Sequence, residues 1–128
     1  MKIGILSSGG DCPGINATIR GVGKTAIMHY GMEVIGIHSG FVGLLNKDVQ
    51  TFDERSLSGI LNLGGTILGT SREKPFRKLL ASGESEKPQL IRQNYEELGL
   101  DCLVCIGGNR RYALGDGFER DRCAEDYR

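Results

Sequence analysis

Two short apolar runs in this chain each empty directly into a pair of glycines, and that pattern constrains the fold more than any other feature. Lys2 to Ser8 (KIGILSS) runs into Gly9-Gly10, and Asp101 to Ile106 (DCLVCI) runs into Gly107-Gly108. Runs this short and continuously apolar suit strands of a parallel sheet covered on both faces. In open parallel sheets ligands bind beyond the carboxyl ends of the strands, so both glycine pairs are expected to face one cleft.

The sequence between the two runs fills in an α/β pattern. After GGDCPG, the apolar residues Ile15, Ile19, Val22 and Ala26 recur at helical spacing. They predict a helix from about Gly14 to Tyr30, with Pro13 tolerated at its start and Gly31 as its stop. Met32 to Ile37 (MEVIGI) reads as a second strand, reached by a right-handed crossover. Phe41 to Asp53 is expected to be a loop over the sheet edge. From Ser56, the residues Leu57, Ile60 and Leu61 suggest a short helix stopping at Gly64-Gly65, with TILGTSR as a strand after it. Pro88 opens a helix carrying Ile91, Tyr95 and Leu98 on one face and Gly99 at its end. The fold class expected is α/β, a three-layer Rossmann-like sandwich with a mostly parallel sheet.

Composition narrows the partners. A chain of 128 residues is about one domain, and its 16 basic and 16 acidic residues balance, which argues against a nucleic-acid or membrane partner. There is no apolar run near the roughly 18 residues of a spanning helix, and Met1-Lys2 leads into a strand rather than a signal peptide. A cytoplasmic location is expected. Cys12, Cys102, Cys105 and Cys123 are too few and scattered for a disulfide framework and read as reduced thiols. Cys102 and Cys105 have C-x-x-C spacing, but on a strand residues three apart point to opposite faces and cannot jointly grip a metal. His29 and His38 have no carboxylate or cysteine at a telling spacing and read as surface or loop residues.

The character of the sequence changes after Asn109. Residues Arg110 to Arg128 contain five arginines and no lysine, ten of the nineteen are charged, and no helical or strand period carries through. A segment with so little apolar surface to bury is expected to be poorly ordered or loosely packed.

The loop Ser7 to Gly14 lies between a strand and a helix, where backbone N–H groups and the positive helix end attract phosphate. Glycine suits such a loop because a Cβ would hold the phosphate away. Neither G-x-x-x-x-G-K-[ST] nor G-x-G-x-x-G is present, so spacing alone leaves open a tight turn without a ligand. Likewise, Arg72 in the cluster Arg72, Lys74, Arg77 and Lys78 reads alone as a solvated basic face. Arg20 and Lys24, one helical turn apart, read alone as ordinary surface cations.

The run GILSSGGDCPGINATIRGV, followed in order by GGTILGTSR and LVCIGGN, resembles the phosphofructokinase family. In that family a strand, a GGD-x-PG-x-N loop and an arginine-bearing helix open the chain, and a GGDG or GGNG loop comes later. The resemblance covers Met1 to Asn109, roughly the first third of a usual member. It implies a partial nucleotide-binding domain over 1–109 and a divergent segment over 110–128, as in a truncated or frame-shifted product. It implies a phosphoryl transfer from ATP or pyrophosphate to the 1-hydroxyl of fructose 6-phosphate, with Mg2+ and homo-oligomeric assembly.

Carried over residue by residue, Gly9 and Gly10 approach the donor, Arg72 reaches toward its phosphates, and Gly107 and Gly108 let those phosphates lie against the backbone. Asn109 stands where many members carry a magnesium-associated aspartate, although members with asparagine exist. The next residue, a glycine in the family that often separates ATP from pyrophosphate users, is here Arg110. Arg20 and Lys24 match a pair that in some bacterial members binds a regulatory phosphate at a subunit boundary, with Lys24 replacing the usual arginine. The aspartate base of the T-I-D-N-D-type motif is absent from the sequence, so the chain alone is expected to be inactive. Two other readings remain at this point: an inert fragment that binds nucleotide weakly, and another kinase sharing the glycine loops, such as an NAD kinase relative.

Overall fold

The computed structural model describes residues 1–71 and 87–107. The expected strands form ahead of both glycine pairs, as β1 (Lys2–Ser7) and β4 (Cys102–Ile106). Between them run α1 (Ile15–Tyr30), β2 (Glu33–Ile37), α2 (Phe41–Asn46), β3 (Val49–Phe52) and α3 (Lys87–Glu97). One sheet results, in the order β3-β2-β1-β4. β1 pairs in parallel with β2 (Ile3 opposite Val34) and with β4 (Ile3 opposite Cys102), while β3 is antiparallel to β2 (Val34 opposite Phe52).

The two-residue period of the strands sorts their side chains into two cores. Ile3, Ile5 and Val34 face Ile15, Ile19 and Ala26 of α1. Leu6, Ile35, Ile37 and Leu103 face Phe41 and Leu44 of α2 and Ile91 and Tyr95 of α3. Helices on both faces make the three-layer α/β sandwich that the apolar runs predict. Cys102 packs against the first core and Cys105 against the second, so the C-x-x-C pair is indeed split across the sheet.

Helix ends follow their glycines. Gly31 is left-handed (φ 59°), and the Gly31 and Met32 N–H groups donate to the Ile27 and Ala26 carbonyls at 3.2 and 3.0 Å, which stops α1. Gly99 (φ 68°) does the same after α3, and the chain turns Leu100 into the core.

Three expectations are corrected. Phe41 to Asp53 is not a loop: it holds α2 and the edge strand β3, stabilised from outside the segment. The buried Asn94 of α3 donates to the Leu44 and Leu45 carbonyls at 2.9 and 2.8 Å, and β3 takes its ladder from β2. Residues 54–59 form turns rather than a helix, because Gly59 sits at φ 77°, outside right-handed helical space; Leu57 and Ile60 are buried nonetheless. Residues 66–71 are not a strand. Gly69 at φ 67° breaks the extension, and the hydrogen bonds of the segment go to side chains and loop backbone instead of a ladder. Among the described residues no helix is long and apolar enough to cross a membrane.

Candidate functional site at the tips of β1 and β4

The parallel pairing of β1 with β4 brings Gly9-Gly10 beside Gly107. Ser7 lies opposite Ile106, and the Ser8 N–H donates to the Ile106 carbonyl at 2.9 Å, so the chain leaves both strands side by side at Gly9 and Gly107. Gly9 has φ 99° and Gly107 φ 146°, conformations in which a side chain is strained. A Cβ built on Gly9, Gly10 or Gly14 would meet no atom of the described residues within 4 Å, so among these residues the positions border open space rather than packed protein. That is the shape a phosphate cradle of bare peptide groups requires.

Two further loops close on the same point. Beyond β2, Ser39 is left-handed (φ 55°), and a Cβ on Gly40 would lie 2.8 Å from the Ser7 carbonyl, so the backbones pass too close for any side chain there. The segment 66–71 crosses the tips. The Leu68 carbonyl accepts from the Ser39 N–H at 2.8 Å, the Ser71 carbonyl from the Gly9 N–H at 3.0 Å, and the Gly9 carbonyl from the Thr70 hydroxyl at 2.7 Å.

Proton counting sets the direction of one buried chain of bonds. The Ser7 hydroxyl donates to the Gly69 carbonyl at 2.8 Å, so its 2.9 Å contact with Thr66 must be donated by the Thr66 hydroxyl. Thr66 Oγ1 in turn accepts from the Leu68 N–H at 3.2 Å.

These bonds divide the work within the glycine loop. Ser8 and Gly9 spend their N–H groups inside the protein, so Gly9 contributes close approach, and hydrogen-bond donation to a ligand begins at Gly10. Among the described residues, the Gly10, Asp11 and Cys12 N–H groups have no backbone acceptor. The first turn of α1 carries no acidic residue and Gly14 supplies no side-chain cap, but the Ile15 and Asn16 N–H groups donate to the Cys12 and Gly65 carbonyls, so the helix end offers an anion its dipole rather than these donors.

Arg72, Gly108 and Asn109 lie outside the described residues, as does the segment 110–128. The neighbours of the first two in sequence, Ser71 and Gly107, both stand at the cleft. Arg20 and Lys24 fall in the second and third turns of α1, both half-buried, and the buried Arg20 Nε has no hydrogen-bond partner among the described residues. Among the described residues two carboxyls are displaced from their ordinary range, and neither is in the loop. Asp53 is lowered by the Ser56 N–H and hydroxyl, and Glu97 by Lys47 and Gln93.

Sequence reasoning missed Ser7, Asn16, Thr66 and Thr70, the polar residues that stitch the cleft wall. The available signal was a set of small polar residues inside otherwise apolar or glycine-rich motifs.

Comparison with known proteins bears on the same residues. The sequence profile of the family described as Phosphofructokinase matches residues 2–124. The ATP-dependent 6-phosphofructokinase 3 of Bacteroides thetaiotaomicron is 72% identical over 109 residues, 85% of this chain and 32% of that protein. The pyrophosphate--fructose 6-phosphate 1-phosphotransferase of Dictyoglomus thermophilum is 42% identical over 120 residues, 94% of this chain and 33% of that protein. Among solved structures, the phosphofructokinase of Saccharomyces cerevisiae superimposes with a TM-score of 0.72 at 37% identity, covering 84% of this chain and 14% of that one. The chain thus spans about a third of the length of the two bacterial relatives.

Proposed function

This chain belongs to the phosphofructokinase family, and we propose that the cleft at the tips of β1 and β4 is the donor half of its phosphoryl-transfer site. In this reading the polyphosphate of ATP or pyrophosphate lies on Gly9 and Gly10 and against Gly107 and Gly108. Arg72, one residue beyond the bonded Ser71, supplies the planar fork that holds oxygens whose charge shifts during transfer. The observation that carries the reading is the open space over Gly9 directly beside the exit of β4.

Magnesium accompanies the donor, bound mainly by phosphate oxygens and water as this ion usually is. Asn109, at the position of the family's magnesium-associated aspartate, would give the ion its protein contact. The whole-protein reaction is transfer to the 1-hydroxyl of fructose 6-phosphate, carried out in the cytoplasm by a homo-oligomer. The division at Asn109 and the separate character of residues 110–128 belong to the same proposal. So does a second phosphate site at Arg20 and Lys24, supported by the buried Arg20 Nε, which has no partner among the described residues.

Phosphoryl transfer depends on positioning the acceptor and on a base as well as on the donor, and the sequence has no counterpart of the family's aspartate base. The chain on its own therefore binds donor without turnover. Calorimetric titration with magnesium ATP and magnesium pyrophosphate, followed by a fructose 6-phosphate phosphorylation assay, tests this. Binding of one donor with no product is the expected result. Turnover by this chain alone would contradict the missing base, and absence of binding by both donors would remove the site.

A further inference from the structure

Asn16 is buried to 1% exposure in the first turn of α1, beside the apolar stripe of Ile15 and Ile19, and its polar groups all reach across to one segment. Its Nδ2 donates to the Leu63 and Gly64 carbonyls at 3.1 and 3.4 Å, and its Oδ1 accepts from the Ile67 N–H at 2.7 Å. Its own backbone N–H donates to the Gly65 carbonyl at 3.3 Å. A buried carboxamide is tolerated only when bonded in this way, and these bonds leave its carbonyl and both amide hydrogens occupied.

The segment held by Asn16 would otherwise be loose. It contains Gly64, Gly65 and Gly69, residues with large conformational freedom to lose, and it forms no strand ladder. It is also the segment that continues through Thr70 and Ser71 onto Gly9. One side chain thus ties the first turn of the helix to the stretch that closes over the tip of β1.

We propose that Asn16 is a positioning residue for the phosphoryl donor, joining segment 63–67 to the first turn of α1 so that the glycine loop and Ser71 stay in their phosphate-receiving arrangement. The inference rests on the donor site proposed above and adds to it a residue that does not touch the ligand. When Asn16 is removed, the segment samples other arrangements, and donor affinity falls in proportion to the time the competent one is lost.

The test titrates magnesium pyrophosphate into the 128-residue chain and its variants by calorimetry, well below each melting temperature, and follows hydrogen exchange of the Ile67 amide. Asn16→Ala is expected to bind about tenfold more weakly and to exchange the Ile67 amide faster, and Thr70→Val, which cuts only the bond to Gly9, to bind about threefold more weakly. If Asn16→Ala does not fold, Asn16→Asp takes its place, since it keeps the acceptor for Ile67 and removes the donors to Leu63 and Gly64. A purely architectural Asn16 would lower the melting temperature and leave the affinity of the folded chain unchanged, and that result overturns the inference. Absence of binding by the unsubstituted chain overturns the donor site and the positioning role with it, whereas tight binding there with unchanged affinity in the variants overturns the positioning role alone.

Discussion

Replacing Gly9 by alanine separates the two reasons for a glycine at the tip of β1, because the structure gives them different sizes. The backbone there has φ 99°, so alanine pays a conformational penalty of order 1–3 kcal/mol. No packing penalty accompanies it among the described residues, since the added Cβ meets none of their atoms within 4 Å. Gly31 at the far end of α1 is the matched control: it too has positive φ, 59°, and open space around its Cβ, so alanine there costs about 1–2 kcal/mol. At about 4 °C per kcal/mol, Gly9→Ala should lose roughly 4–12 °C and Gly31→Ala roughly 4–8 °C in melting temperature, read by circular dichroism. Only Gly9→Ala puts a methyl group where phosphate is proposed to lie. Its pyrophosphate affinity, measured by calorimetry on the folded chain, should fall at least about tenfold, a loss of about 1.4 kcal/mol, while that of Gly31→Ala stays within twofold. Wild-type affinity in Gly9→Ala would refute the close approach, and equal loss in both variants would show that binding merely follows stability.

Other consequences are structural. A Cβ on Gly36 would lie 2.5 Å from the Phe52 ring and 2.6 Å from Leu68, so Gly36→Ala should cost about 1–3 kcal/mol in urea unfolding, whereas Gly21→Ala, on an open part of α1, should gain about 0.5–1 kcal/mol. Ile91→Ala empties a fully buried site beneath α3 and should cost about 2–5 kcal/mol by the same measurement. Asp53 has a folded pKa below its ordinary 3.8, so its contribution is present above that value and is lost as pH falls through the lower, folded one; Ser56→Ala, which removes the hydroxyl but keeps the Ser56 N–H, should weaken without abolishing the dependence of the urea midpoint on pH below about pH 4.

What the sequence made legible was whatever its own neighbours determine. β1 and β4 are marked by unbroken apolar runs, α1 by Ile15, Ile19 and Ala26, and the ends of α1 and α3 by Gly31 and Gly99, all within a few residues of the feature they fix. The adjacency of the glycine pairs was legible for the same reason, since strands emptying into glycine belong at the same end of a parallel sheet. α2 and β3 were not. A six-residue helix and a four-residue edge strand carry too little local signal, and their support comes from Asn94 and β2. The cleft wall was hidden by distance along the chain: Asn16 finds its partners 47 to 51 residues away, and Ser7 finds Gly69 62 residues away. The short helix expected from Ser56 shows the opposite error, where Leu57 and Ile60 do enter the core but Gly59 bends the chain between them.

Amide chemical shifts of the 15N-labelled chain, followed while magnesium pyrophosphate is added, address the donor site at the level of single peptide groups. Saturable shifts concentrated at Gly10, Asp11, Cys12 and Gly107 are expected, with Gly31 and Gly99 at the ends of α1 and α3 unmoved. Shifts scattered over the surface, or centred on residues remote from the tips of β1 and β4, would contradict the donor site.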